Sequence, residues 1–349
     1  MGSTGKRLSL QRAEGRGTGM RVLITGATGF VGTHLRDYLL AETDWAVVGT
    51  AFPQLPPDLA VRPREILVEL DLRDRRATEA ALSDVKPDAI VHLAAQSHVP
   101  TAYRDPWLTL ETNILCQVNL LEGCVALGLS PRTLVIGSGD EYGRVGEDAL
   151  PIHEMHPLRP ENPYSVSKVT QDVMGYQYFI SYGLPVLRVR PFNHIGPGQS
   201  ARFALPAFAS QVAEIELGLR EPTLYVGNLT PERDFTDVRD VVRAYELLLR
   251  RGRPGEVYNV ASGVPCSIAQ IVEQLLALAS VAIRVKADPD RYRPADVPVI
   301  YGSAEKLHAD TGWQPAIPLS QSISDVLAEW RRRVKQRIAE PSTRQGPDD

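Results

Sequence analysis

The 349-residue chain predicts an α/β protein, a doubly wound parallel sheet that carries a smaller mixed α/β lobe toward its C-terminus. Three observations predict it. Short β-branched runs alternate with stretches of helical period over roughly the first 190 residues, the pattern of a parallel sheet covered by helices on both faces. A glycine-rich turn follows the first run directly. From about residue 191 proline and glycine become frequent, and short strand-like runs mix with helical ones.

The runs, in order, are "RVLIT" (21–25), "WAVVGT" (45–50), "EILVEL" (65–70), "DAIVHLA" (88–94), "TLVIGS" (133–138) and "PVLRVR" (185–190). Each is too short for a core helix and rich in residues that suit a pleated, buried surface. The intervening segments include wide apolar helical faces at about 107–128 and 164–182, with Leu108, Leu115, Leu120, Leu121, Tyr176, Phe179 and Ile180. Past residue 191, "RPFNHIGPGQ", "REPTLYVGN" and "SGVPCS" punctuate the chain, and "DVRDVVRAYELLLRR" (237–251) reads as a helix. No repeat of 20 to 50 residues is found.

Composition excludes several function classes. The 38 basic and 42 acidic side chains leave a net charge of −4, which offers nucleic acid or an anionic bilayer no footprint. The longest apolar runs, such as "LLALASVAI" (275–283), fall short of the roughly 20 residues that span a bilayer. A soluble, cytoplasmic protein is expected. Cys116, Cys124 and Cys266 are odd in number and lack C-x-x-C spacing, so they read as reduced core residues. The "HEMH" stretch, His153 to His156, lacks metalloprotease spacing and lies between prolines; no metal is assigned. His92, inside an apolar run, reads as a core histidine. Residues 1–19 carry no apolar h-region and read as a disordered extension rather than a secretory signal, with Met20 an alternative start. Residues 336–349 read as a frayed tail.

The glycine turn is "TGATGFVG" (25–32), with Gly26, Gly29 and Gly32 between a strand and a helix. Glycines there let the backbone approach a pyrophosphate, and the helix N-terminus supplies N–H donors and partial positive charge. Residues 20–190 are therefore expected to form a dinucleotide-binding domain. Residues 191–335 would then form mainly a substrate lobe, with some segments returning to the first domain. A ribose-binding carboxylate should stand at the end of the second strand, but Gly49-Thr50-Ala51 stands there. Nothing repels a 2′-phosphate, so NADP(H) is favoured. No arginine follows either, which leaves NAD(H) open. Asp71 of "DLRD" reads either as an adenine contact or as a helix cap.

Tyr164 and Lys168 form a Y-x-x-x-K. Four residues apart, they share one helical face, so the ammonium can stabilise the phenolate during proton transfer to or from an alkoxide.

At this point the chain resembles the extended short-chain dehydrogenase/reductases that act on nucleotide-sugars. The matching pieces are "TGATGFVG", "VHLAAQS" (91–97), "ETN" (111–113), "IGSGDEYG" (136–143), "NPYSVSK" (162–168), "RPFNHIGPGQ" (190–199), "RDFTDVRD" (233–240) and "VYNVASG" (257–263). The resemblance implies a Rossmann-type sheet and a triad of Ser138, Tyr164 and Lys168, with Asp140 a further catalytic candidate. Around the cofactor it implies Gly26, Thr28, Gly29, Phe30, Val31, Gly32, Asp71, Leu72, Leu93, Ala94, Ala95, Asn113, Tyr164, Lys168 and His194. On the substrate, a GDP-sugar, it implies Ser138, Asp140, Asn193, Arg233, Arg293 and Asp296. It also implies a homodimer through the two apolar helices, and leaves open whether two dimers associate.

Within that family the chain is similar to GDP-mannose 4,6-dehydratases and to the sister reductases of GDP-4-keto-6-deoxy-D-mannose. A dehydratase needs an acid and a base beside the triad. The family's dehydratases carry Thr and then a Glu two residues before the aromatic of the Y-G pair; here Ser138, Gly139 and Asp140 occupy those places. Gly139 offers no side chain, and Asp140 is shorter than Glu by about 1 to 1.5 Å. A misplacement of that size can cost on the order of a hundredfold in rate. The reductase, giving GDP-D-rhamnose, is the favoured reading. GDP-mannose 4,6-dehydratase or another nucleotide-sugar epimerase or dehydratase is the alternative. A non-catalytic NADP-binding sensor is disfavoured by the intact triad.

Overall fold

A computed structural model describes residues 19–57, 59–288 and 297–339. Arg293 and Asp296, together with residues 1–18 and 340–349, lie outside the described residues.

The expected runs are strands β1 (Arg21–Thr25), β2 (Ala46–Ala51), β3 (Glu65–Glu69), β4 (Ala89–His92), β5 (Arg132–Ile136) and β6 (Val186–Pro191). Between them lie α1 (Phe30–Glu42), α2 (Arg75–Val85), α3 (Val99–Arg104), α4 (Pro106–Leu110), α5 (Cys116–Ala126) and α6 (Pro163–Tyr182). The remainder runs β7 (Asn193–Ile195), α7 (Ala204–Glu216), β8 (Thr223–Val226), β9 (Glu232–Asp237), α8 (Val238–Arg251) and β10 (Val257–Val260). It ends with β11 (Pro265–Ser267), α9 (Ile268–Ala277), β12 (Arg284–Ala287), β13 (Val299–Ile300), α10 (Glu305–Thr311) and α11 (Leu319–Ala339). No helix among the described residues is long and apolar enough to cross a membrane.

Seven strands form one parallel sheet in the order β10-β6-β5-β4-β1-β2-β3. Both faces are covered. Leu35 and Leu39 of α1 pack with Val241, Tyr245 and Leu248 of α8 on one side; Leu82 of α2, Leu120 and Leu121 of α5 and Tyr178 of α6 pack on the other. The two-sided burial explains why the strands read as continuous apolar runs rather than alternating ones. The order in which successive strands are laid down reverses between β1 and β4, and the C-terminal ends of these two parallel strands form the crevice where open α/β sheets bind ligands.

The expected helix at 107–128 departs from regularity in the structure. α4 and α5 are separated by a π turn at Glu111–Leu115. That turn swings Asn113 inward, where it accepts from Gln96 N (2.7 Å) and donates to Gln96 O (3.0 Å) and Ser167 Oγ (2.8 Å). Three satisfied bonds at a fully buried amide offset the irregular backbone. α6 begins cleanly: Asn162 and Ser165 form a capping box around Pro163 at the first helical position. Gly175 lets α6 approach the sheet, since a Cβ there would lie 3.1 Å from Val186 Cγ1.

Beyond β6, β11, β9 and β13 form a second sheet with β7 alongside β9, and β12 pairs with β8. Their apolar side chains close over α7, α9 and α11. β10 leaves this region and joins the main sheet beside β6.

Candidate active site

The glycine turn is shaped by close approach. Gly26 has φ +65°, and a Cβ on it would stand 3.0 Å from Ala94 Cα. A Cβ on Gly32 would fall 2.3 Å from Gly26 O and 2.8 Å from Ala27 Cα. Gly29 caps α1 without a side-chain bond, and the first turn carries no acidic residue. The first N–H groups of α1 therefore face the crevice with their partial positive charge uncancelled. This bare cradle fits the pyrophosphate of a dinucleotide.

It opens into a cleft of about 590 Å³. Its lining includes Gly26, Gly29, Phe30, Val31, Gly32, Leu93 and Ala95 of the glycine turn and β4 exit, Ser138, Asp140, Tyr164 and Lys168, and Asn193, His194 and Arg233. Thr25 ties the crevice together, its Oγ1 bonding His92 Nδ1 (2.8 Å) and accepting from Ala94 N (3.1 Å). His92 is buried, and burial pushes its imidazole down to about 3, with Lys168 adding to the effect. Phe30 stacks on the His194 ring at 6.0 Å and 6°, and the His194 Nδ1 lies 3.1 Å from Phe192 O.

Ser138 ends the β5 segment and caps a short 3-10 turn, Gly139–Tyr142. Its Oγ accepts from Asp140 N at 3.1 Å. Tyr164 reaches it from the first turn of α6. Burial raises the Tyr164 phenol well above its usual range, Asp140 raises it further, and a hydrogen bond with Ser138 draws it back. Lys168, one turn on, is buried and donates to Ile136 O and Gln171 Oε1, each at 2.9 Å. Burial brings its ammonium down to about 8 against the pull of Glu141.

Several expected residues stand outside the cleft lining. Asn113 lies behind it, bracing Gln96 against Ser167. Asp71 is half-exposed and grips Arg73 (2.8 Å), which holds its carboxyl below the ordinary range. Leu72 is buried, with its carbonyl accepting from Asn119 Nδ2 at 2.8 Å. Ala94 lies beside Gly26, and Thr28 is part of the turn itself. Arg233, in the lining, donates to Val297 O (2.7 Å) and Glu232 O (2.8 Å).

The lining also holds residues that sequence reasoning missed: His98, Arg202, Phe203 and Tyr245. Tyr245 is fully buried, and its hydroxyl is without a hydrogen-bond partner among the described residues. In sequence it falls on the apolar stripe of α8, where an aromatic reads as core. Arg202 lies just ahead of α7, where no spacing rule marks it.

A family model described as GDP-mannose 4,6 dehydratase matches residues 23–326. The GDP-6-deoxy-D-mannose reductase of Pseudomonas aeruginosa is 42% identical over 320 residues, which cover 90% of this chain and 99% of that protein. A GDP-mannose 4,6-dehydratase of Vibrio cholerae is 29% identical, covering 88% of this chain and 92% of that one. Among solved structures, RMD from Pseudomonas aeruginosa complexed with NADPH has a TM-score of 0.79 at 41% identity, covering 90% of this chain and 99% of its own. The Thermus thermophilus UDP-glucose 4-epimerase complex with NAD also has a TM-score of 0.79, at 31% identity, with 89% and 99% covered.

Proposed function

Since the chain belongs to the GDP-mannose 4,6-dehydratase family, we propose that it catalyses that family's reductive chemistry. Its reaction is the NADPH-dependent reduction of the C4 ketone of GDP-4-keto-6-deoxy-D-mannose to GDP-D-rhamnose. The observation that carries this reading is Gly139. A Cβ at that position would meet the Phe192 ring at 3.1 Å, so a side chain beside Ser138 would need that ring to give way by a few tenths of an ångström, and the glycine itself offers no acid or base. A dehydratase needs further acid–base groups around its triad, whereas a reductase needs one proton donor. The 42% identity to a reductase, against 29% to a dehydratase, supports the same choice.

Bound NADPH would supply the hydride to C4. Tyr164 gives the proton to the forming alkoxide. Ser138, whose Oγ already accepts from Asp140 N, has its own O–H to direct at that oxygen. Lys168, charged beneath the phenol, stabilises the phenolate left behind. Gly26, Gly29, Phe30, Val31 and Gly32 would hold the dinucleotide, with Leu93, Ala95 and His194 beside it. Asp71 and Leu72, just after β3, are proposed for the adenine. Asn193 and Arg233 are proposed for the sugar diphosphate, since a guanidinium fork matches phosphate oxygens.

A homodimer belongs to this reading. Trp107 of α4 is 83% exposed and Ile180 of α6 is 62% exposed, and the two helices pack together. Such a contiguous apolar face marks an interface. A cytoplasmic location also goes with it, because three buried free thiols suit a reducing compartment.

The test is a pair of end-point reactions on purified protein, read by product mass and NADPH absorbance. GDP-4-keto-6-deoxymannose with NADPH should gain two mass units as NADPH is consumed. GDP-mannose with catalytic NADP should stay unchanged; loss of water from it would establish the dehydratase instead and make Asp140 its base.

A further inference from the structure

Behind the Ser138, Tyr164 and Lys168 group lies a carboxyl that the reaction above does not use. Glu141 is fully buried although it belongs to a short turn at the edge of the cleft. Its Oε1 accepts the Ser138 N–H at 2.8 Å. Its Oε2 lies 3.2 Å from Arg190 Nε but forms no hydrogen bond among the described residues. Arg190 Nε instead donates to Asp172 at 2.9 Å, and Asp172 also accepts from Arg188 at 2.9 Å. Two arginines thus converge on Asp172.

Lys168 is the remaining buried cation of this cluster, and the oxygens it bonds, Ile136 O and Gln171 Oε1, are both neutral. The lysine hangs from the Ile136 carbonyl and Glu141 from the Ser138 amide, with only Gly137 between. A Cβ on Gly137 would fall 2.1 Å from Glu141 Oε1. The bare backbone at that residue is what lets a carboxyl lie along the strand exit, two residues from the carbonyl that the lysine bonds.

We propose that Glu141 is a positioning residue, which fixes the Ser138 backbone and serves as the counter-ion that keeps Lys168 protonated while Tyr164 delivers its proton. The proposal rests on the triad reading above. Asp140 and Tyr142 flank Glu141 on its own turn. Lys168, Tyr164 and Asp172 face it from α6 and Arg190 from β6, while His92 of β4 faces the lysine. Burial raises Glu141, with Asp172 adding to the rise and Arg190 opposing it; burial lowers Lys168, with Glu141 opposing that fall. Titratable groups that interact give macroscopic steps that belong to the pair. A carboxyl that merely closes a capping box would not tie its charge to the lysine.

The experiment is the pH dependence of kcat for ketone reduction. Glu141→Gln keeps an oxygen for the Ser138 N–H and removes the charge. Without the anion, Lys168 loses its proton earlier, so the alkaline limb should move to lower pH by about one unit. A limb that stays in place, or a rate that drops equally at every pH, overturns the counter-ion role. Asp172→Asn removes the anion that repels Glu141 and competes for Arg190, and should move the limb upward. It carries the test if Glu141→Gln does not fold, and no upward movement overturns the proposal. Tyr164→Phe separates the two readings: if it stays active, the triad reading fails and this proposal with it. If it is inactive while the Glu141→Gln limb is unmoved, only the counter-ion role fails.

Discussion

Tyr164 and Lys168 stand one turn apart on α6, and both are buried at the cleft. A phenol raised by burial is a poor spontaneous acid, so its use as a proton donor depends on the charge beneath it. Replacing Tyr164 with Phe removes the proton and leaves the packing, and kcat should fall by about 10²- to 10⁴-fold with little change in NADPH affinity. Asp140→Asn, by contrast, should change kcat less than about tenfold if the protein only reduces. Steady-state kinetics on both variants checks the pair of statements, and a collapse of activity in Asp140→Asn would argue for acid–base work there. The tyrosine and lysine were legible because a spacing of four has one geometric meaning on a helix. Glu141 was not. A carboxylate at a strand exit is ordinarily solvated, and only the absent Cβ of Gly137 and the approach of α6 and β6 bury it.

Elements of the main sheet were readable because strands buried on both faces become unbroken apolar runs. The π turn was not, since its cause is a distant set of partners for Asn113 rather than a local preference. The same is true of the clamp between α1 and β3. Burial pushes the Glu65 carboxyl up, but bonds from Arg62 and Arg36 overcome that and bring it down to about 2, with Arg36 Nε at 2.6 Å. A folded value below the ordinary one near 4.5 means stabilisation that is present above that pH and lost as pH falls toward 2. The difference corresponds to about 3 kcal/mol. Urea midpoints at pH 5 and pH 3 should therefore diverge more for the native chain than for Glu65→Gln. Parallel losses in the two proteins would remove the clamp from the account.

At the scale of the whole molecule, the cleft lies where two groups of elements meet, and its substrate side was the least legible part. His98, Arg202 and Tyr245 come from three separate stretches that only tertiary structure brings together. The same scale governs assembly. Trp107→Glu with Ile180→Glu places two charges in the proposed dimer face, and light scattering should report half the native mass; an unchanged mass would place the interface elsewhere. β10 carries one more consequence. It completes the sheet beside β6 only after residues 192–256 have been made, so during synthesis the edge of β6 waits unpaired. At about 5 to 20 residues per second that wait is roughly 3 to 13 seconds. For that interval the nascent chain exposes a strand edge with open hydrogen-bonding groups, a template for any other unfinished chain. A chain ended at residue 250 makes the interval permanent, and should partition into the insoluble fraction of a cell while the full chain does not.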